Sequence, residues 1–351
     1  MDENIRLALQ SPSTFPYEEV VATFVELHEA FADRPWHRAE GVRDFLRRFG
    51  DENPYIPSRI GAWRAASENV RDPQPKARIS KATRSIRIED LASTINLNPA
   101  VAEQFFKNNL HDQGYFFTKF LEWHISIEHM RATDAKRIID VGAAYSGFAD
   151  VAGRAMPESE IIVSDLVFEP GFKTLSSGVI QHGADASDLS GIDNRSIDAV
   201  VLHNAFEHFE GDIDRLSLKE MKRVLKPGGT ILITPMHFAQ AHTLIINPFS
   251  YFLKDVNAKA KALLEEKTAT SRIYFNHEMI SPFARVYSQH SLRKRLKGAL
   301  ARLDMTLVEC DFDEVGFDED GRSEVGVFGM RPTRDLLKTK MFSYLKLTKH
   351  E

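Results

Sequence analysis

The segment RIIDVGAAYSGF, residues 137–148, is an apolar run that passes an acid and ends in a string of small residues. Gly142, Ala144 and Gly147 carry the G-x-[G/A]-x-x-G spacing of a turn that lets bare backbone approach a bound nucleotide. Asp140 stands two residues ahead of the first glycine, and Asp165 lies 23 residues beyond it, where an acid can accept both hydroxyls of a ribose. Two ligand classes satisfy such a turn. A dinucleotide would set its pyrophosphate on the following helix N-terminus, close to the unfavourable charge of Asp140. A sulfonium nucleoside has no phosphate and carries a cationic amino-acid end that Asp140 attracts, while the helix N-terminus can take its carboxylate. The first chemistry moves a hydride and the second a methyl group. The turn and Asp165 by themselves leave both open.

Methyl transfer from a sulfonium is an in-line displacement, in which the protein aligns the acceptor and, for a hydroxyl, removes its proton. His208 and His237 are the candidate catalytic bases, one just past an apolar strand at 196–205 and the other just past a strand at 226–236. His242 is a further candidate, whereas His203, inside its strand, is expected to be structural. Glu207 beside His208 does not make a metal set, so no metal is expected.

The elements that position these residues alternate from Lys136 onward in the manner of a parallel α/β sheet. RIIDVG, EIIVSDL (160–166), GVIQHGAD (178–185), SIDAVVLHNA (196–205) and KPGGTILITPM (226–236) read as five strands. FADVAGRAM and DRLSLKEMKRVL read as helices between them. Residues 237–287 interrupt the pattern with aromatic and partly charged helical stretches; Tyr251, Phe252, Tyr274, Phe275, His277 and Phe283 could wall an organic acceptor or form plain core. The helix 288–304 then leads to strands 305–312 and 324–332, a closing hairpin. Residues 1–130 read as a helical segment, with helices over 17–33 and 112–130. In the second of these Phe116, Phe120, Trp123 and Ile127 form a stripe expected to pack against the next domain. The tail 333–351 reads as a basic amphipathic helix that docks on its own domain or on a second copy, giving a homodimer; membrane contact is the less expected use.

Hydrophobic residues make up 43% of the 351 residues and charged ones 27%, enough apolar material for a sizeable core. A net charge of -5 argues against a protein that neutralises many phosphates, so no nucleic-acid partner is expected. One cysteine, Cys310, excludes an internal disulfide and suits a cytoplasmic setting; neither a leader nor a membrane span is expected.

The block GADASDLSGIDNRSIDAVVLHNAFEHFEGDIDRLSLKEMKRVLKPGGTILI, residues 183–233, resembles the class I S-adenosylmethionine-dependent methyltransferases of the small-molecule type. Asp185, Asn204 through His208 and Arg223 through Gly229 carry the resemblance, which spans about 136–235 and more loosely reaches 332. It implies a Rossmann-like, seven-stranded, mostly parallel sheet with a C-terminal antiparallel hairpin, preceded by the helical segment. It implies S-adenosylmethionine as cofactor, with Asp185 meeting the adenine amino group. The cofactor residues it points to are Asp140, Gly142, Ala143, Ala144, Tyr145, Gly147, Asp165, Leu166, Asp185, Ala186 and Asn204. Ala144 and Ser146 stand where the family commonly has glycine, and the added methyl at Ala144 narrows the backbone's approach. The domain then runs from 131 to 332, with 237–287 as an inserted substrate cover. The expected reaction is O-methylation of a small molecule, a sugar or a biosynthetic intermediate. The alternatives are N-methylation, a non-catalytic S-adenosylmethionine-binding protein and, from the turn alone, a nicotinamide oxidoreductase.

Overall fold

A computed structural model describes residues 79–108, 113–144, 146–236, 238–239, 241–251, 255–266, 272–275, 281–312 and 342–350. The helix expected over 17–33 and the strand expected over 324–332 lie outside the described residues, as do Tyr145, His237, Phe252 and His277. The chain forms two compact units: one takes its described residues from 207–214 and 238–296, the other from 79–206, 215–237 and 297–351.

The larger unit is built on an eight-stranded sheet. Its strands are β1 (Ser80–Ile86), β2 (Arg137–Val141), β3 (Glu160–Thr174), β4 (Ile180–Gly183), β5 (Ile197–His203), β6 (Leu225–Thr234), β10 (Leu303–Phe312) and β11 (Ser343–Lys349), in the order β1-β10-β11-β6-β5-β2-β3-β4. The central strands β6, β5, β2 and β3 run parallel, β11 is antiparallel to both its neighbours, and β1 is parallel to β10. Around them lie α1 (Ile88–Asn96), α2 (Pro99–Asn108), α3 (Gln113–Ala132), α4 (Phe148–Ala155) and α5 (Ile213–Val224). Strands covered on both faces read as continuous apolar runs. Ile138, Ile139, Val200, Val201, Leu202, Ile231 and Leu232 are accordingly buried.

Two expectations are corrected. The sheet has eight strands, not seven: Ser80–Ile86, within the segment read as wholly helical, forms an edge strand whose Lys81 pairs with Glu309 of β10 at 2.5 Å. Its exposed, charged side chains are those of an edge that must not recruit another strand. The antiparallel partner of β10 is Ser343–Lys349, inside the tail read as an amphipathic helix. Between β6 and β10 this strand buries Tyr344, Leu345 and Leu347, and its Lys349 ammonium donates to the carbonyls of Lys222 (2.7 Å) and Leu225 (2.6 Å) at the end of α5. Lys349 thus places its positive charge at a helix C-terminus. The link from β3 to β4 contains no helix. Pro170 and Gly171 break it, and residues 170–174 return along β4 as a hairpin.

The aromatic stripe of α3 packs inward, as expected. Phe116, Phe120, Trp123 and Ile127 are fully buried, with the Phe120 and Trp123 rings 4.7 Å apart. Each large ring of this kind contributes roughly 2–3 kcal/mol of burial.

The smaller unit carries a three-stranded sheet in the order β8-β7-β9, formed by β7 (Thr243–Ile246), β8 (Arg272–Phe275) and β9 (Phe283–Val286), with α6 (Pro248–Tyr251), α7 (Val256–Glu266) and α8 (Gln289–Leu296). These strands fall where only helical stretches were expected. The buried Arg285 guanidinium on β9 organises the unit. It meets the Glu266 carboxylate at 2.8 Å, Asp214 at 3.2 Å and the Phe209 carbonyl at 2.6 Å. Arg295 and the Tyr287 hydroxyl also converge on Asp214, at 2.6 and 2.5 Å. Burial raises the Glu266 carboxyl, but hydrogen bonds from Arg285 and His242 outweigh it and bring its pKa down to about 2. Buried charges persist only when paired in this way.

Candidate methyl-donor site

The order β4-β3-β2-β5 sets the carboxyl ends of four neighbouring strands side by side, which brings together Asp185, Asp165, the glycine turn and Asn204. Open α/β sheets bind ligands at such strand ends. The turn after β2 depends on positive φ angles, at Gly142 (71°), Ala144 (42°) and Gly147 (76°), the last capping α4. Glycine takes these angles freely and alanine does not. Ala144 is held there because its N–H donates to Asp165 Oδ2 at 2.8 Å. The N–H groups of Gly142 and Ala143 both donate to the Ser164 carbonyl, at 2.8 and 3.3 Å, tying the turn to β3.

Asp165 receives a second backbone donor, Val167 N–H, on Oδ1 at 3.0 Å. Each oxygen keeps a further lone pair for a ribose hydroxyl. Leu166 beside it is 71% exposed, an apolar surface of the kind a purine ring covers. After β4, Asp185 Oδ1 accepts both the N–H and the hydroxyl of Ser187 at 2.7 Å, with Ala186 buried between them. Arg223 of α5 pins this loop by donating to the carbonyls of Leu189 (2.7 Å) and Ile192 (2.8 Å). The R-V-L-K-P-G-G motif therefore begins with a loop anchor.

Asp140 is fully buried. Its Oδ1 accepts from His203 Nδ1 at 3.3 Å, while its Oδ2 has no hydrogen-bond partner among the described residues. An orphaned carboxylate oxygen at this depth, next to a glycine turn, fits a cationic ligand or a donor that the ligand brings with it. It does not fit a pyrophosphate. S-adenosylmethionine, with its ammonium and sulfonium, fits this donor set.

His203 is buried and hydrogen-bonded at both ring nitrogens. Ser126 donates to its Nε2 at 2.9 Å, leaving Nδ1–H for Asp140, and burial lowers its pKa below the ordinary imidazole value while Asp140 pulls the other way. Asn204 turns the chain out of β5 at φ 51°; its N–H donates to the Thr234 carbonyl at 2.7 Å and its side-chain amide to Glu122 Oε1 at 2.9 Å. Ser126, Glu122 and the adjoining Lys119 were not singled out from sequence. They sit between the aromatic residues of α3, where a polar side chain reads as a solvent-facing position.

In the smaller unit, His208 closes a short 3-10 turn, Phe206–His208. Its Nδ1–H donates to the Phe283 carbonyl at 2.6 Å, with the Ser281 hydroxyl at 2.9 Å from the same nitrogen. With Nδ1 committed to this carbonyl, Nε2 is the ring nitrogen left for another partner, 3.7 Å from Glu207 Oε1. His242 differs: its two nitrogens meet Ser291 and Glu266, each at 3.2 Å, and its ring is buried. Through Glu266 it joins the Arg285 network.

Comparison with known proteins favours methyl transfer over hydride transfer. Residues 140–233 match a family profile described as a methyltransferase domain. By this match residues 140–233 carry a methyltransferase domain. That stretch runs from Asp140 through the strand β6, so it takes in the turn, Asp165, Asp185 and Asn204. Among solved structures, the 1,6-didemethyltoxoflavin-N1-methyltransferase of Burkholderia thailandensis, crystallised with 1,6-didemethyltoxoflavin and S-adenosylhomocysteine, is 13% identical, with 80% of this chain and 100% of that chain covered and a TM-score of 0.39. An S-adenosylmethionine-dependent methyltransferase of Thermotoga maritima is 14% identical, with 71% and 98% covered and a TM-score of 0.33. No curated protein matches in sequence.

Proposed function

We propose that this methyltransferase acts on an oxygen of a small organic acceptor, a sugar or a biosynthetic intermediate, with His208 as the base. S-adenosylmethionine supplies a methyl group already activated by its sulfonium. In this reading Asp165 accepts the ribose hydroxyls, Leu166 covers one face of the adenine, and Asp185 with Ala186 meets its edge. The turn from Gly142 to Gly147 accommodates the amino-acid end, and Asp140 balances its charge. His208 takes the hydroxyl proton on Nε2. The observation that carries the O-methyl reading is the short bond from His208 Nδ1 to the Phe283 carbonyl, which leaves Nε2 able to accept a proton. An amine acceptor deprotonates more readily and needs less of such a base. The lone cysteine, buried on β10, suits a reducing cytoplasm.

The test is transfer from isotopically labelled S-adenosylmethionine to panels of hydroxyl and amine acceptors, with the His208→Gln variant alongside. Hydroxyl methylation should fall by roughly 100-fold or more in the variant, the usual share of a general base, with S-adenosylhomocysteine binding retained. Turnover of amines alone would overturn the O-methyl reading. Binding without turnover on any acceptor would favour a non-catalytic role.

A further inference from the structure

The buried polar residues of α3 have no place in the chemistry so far. Lys119 is 5% exposed and Glu122 fully buried, on a helix whose neighbouring positions are phenylalanine, tryptophan and isoleucine. The two form an ion pair at 3.0 Å. A buried ion pair is seldom the most stable solution for a helix, because desolvation offsets most of the attraction. What distinguishes this pair is where its remaining hydrogen bonds go. Lys119 Nζ donates to the His203 carbonyl at 3.2 Å, and Glu122 Oε1 accepts from the Asn204 amide at 2.9 Å. The pair therefore grips two consecutive residues at the point where β5 ends. His203 is the residue that orients Asp140, and Asn204 is the residue whose left-handed backbone turns the chain out of the sheet.

We propose that Lys119 and Glu122 are positioning residues of the methyl-donor site, holding Asn204 and the end of β5 in the conformation that binds the donor. The inference rests on the assignment of the strand ends to S-adenosylmethionine. Glu122 supplies the acceptor that fixes the Asn204 side chain across the turn. Lys119 neutralises Glu122 and fastens the preceding carbonyl. α3 thereby serves the site as well as the core.

Calorimetric titration with S-adenosylhomocysteine, paired with thermal melts, separates this from a merely structural role. In Lys119→Met/Glu122→Leu both charges of the pair leave together, and the Asn204 amide loses the Glu122 acceptor. Its affinity should fall by about tenfold or more, the worth of a buried hydrogen bond to a charged group. In Lys119→Met/Glu122→Gln the acceptor remains, and most of the affinity should return. Wild-type affinity in the leucine variant, whatever its melting temperature, would overturn the proposal, as would equal losses in the two variants. Should the leucine variant fail to fold, Asn204→Gly supplies the second test. Glycine accepts the same backbone angle but has no amide for Glu122 to hold, so affinity should fall likewise, and wild-type affinity in this variant would refute an action through Asn204. A wild type that binds no S-adenosylhomocysteine would overturn the assignment of the site itself, and this inference with it.

Discussion

Removing the Asp165 carboxylate should act on stability and on cofactor binding by amounts that can be separated. In the folded chain its two oxygens accept the N–H groups of Ala144 and Val167 at 2.8 and 3.0 Å. Both bonds lie at a half-buried position that water can reach once the side chain is gone, so Asp165→Ala should cost only about 1–2 kcal/mol of stability. The binding loss should be larger. Two ribose hydroxyls donating to an ionised carboxylate contribute roughly 3 kcal/mol or more together, which corresponds to about 100-fold in S-adenosylhomocysteine affinity. Asp165→Asn keeps one carbonyl oxygen and should lose about tenfold. The assay is calorimetric titration well below each variant's melting temperature, repeated with a 2′-deoxy analogue. The wild type should discriminate against the analogue and Asp165→Ala should not. If Asp165→Ala melts earlier but binds S-adenosylhomocysteine as the wild type does, the acid only ties the turn to β3 and the ribose assignment fails.

Other perturbations follow from the same geometry. Ala144→Gly relieves a left-handed alanine, a gain of about 1–2 kcal/mol, against up to about 1 kcal/mol of added unfolded-chain entropy. It should melt at the same or a slightly higher temperature, and clear destabilisation would contradict the strain at φ 42°. At Gly183 an added Cβ would lie 1.9 Å from the Glu169 carbonyl oxygen and 2.4 Å from its carbon, so the backbone returning along β4 would have to move. Gly183→Ala should lose roughly 4 kcal/mol or more in urea unfolding, and a mild effect would refute the hairpin contact. His129, hydrogen-bonded to Thr230 at 2.8 Å, has its pKa lowered to about 4 by burial, with Lys346 and Arg84 adding to it. Below about pH 6.5 the unfolded chain takes up a proton that the folded chain refuses until about pH 4, so stability should decline as pH falls through that window, by on the order of 3 kcal/mol. His129→Gln should flatten that part of the profile, measured by urea unfolding at about pH 5 and about pH 8. An unchanged slope would show that His129 is not its source.

The half of the fold proposed to hold the donor was legible because its strands are short apolar runs, each ending in a small or acidic residue at a fixed place. RIIDVG and SIDAVVLHNA could hardly be anything else. The closing strand was not legible. SYLKLTK is a central strand with both faces covered, so Tyr344, Leu345 and Leu347 do not alternate cleanly, and its lysines suggested a solvated helix face until Lys349 was seen to cap α5. Ser80–Ile86 is the opposite case, an edge strand too polar to show any apolar period. Within the proposed site, Asp140 and Asp165 stood out by their spacing from the glycine turn, and Asp185 only through the family resemblance. Lys119, Glu122 and Ser126 could not, because a polar residue inside an aromatic helix shows its use only when the strand end it grips is in view. His208 was visible as a candidate, but the carbonyl that engages its Nδ1 comes from Phe283, far away in sequence.

The central claim is that the turn after β2 holds a sulfonium nucleoside and not a dinucleotide. Equilibrium titration of the full chain with S-adenosylhomocysteine and, separately, with reduced nicotinamide dinucleotide tests it most directly. Saturable one-to-one binding of the first and none of the second is the predicted result. Binding of the dinucleotide with no response to S-adenosylhomocysteine would contradict the account at its base.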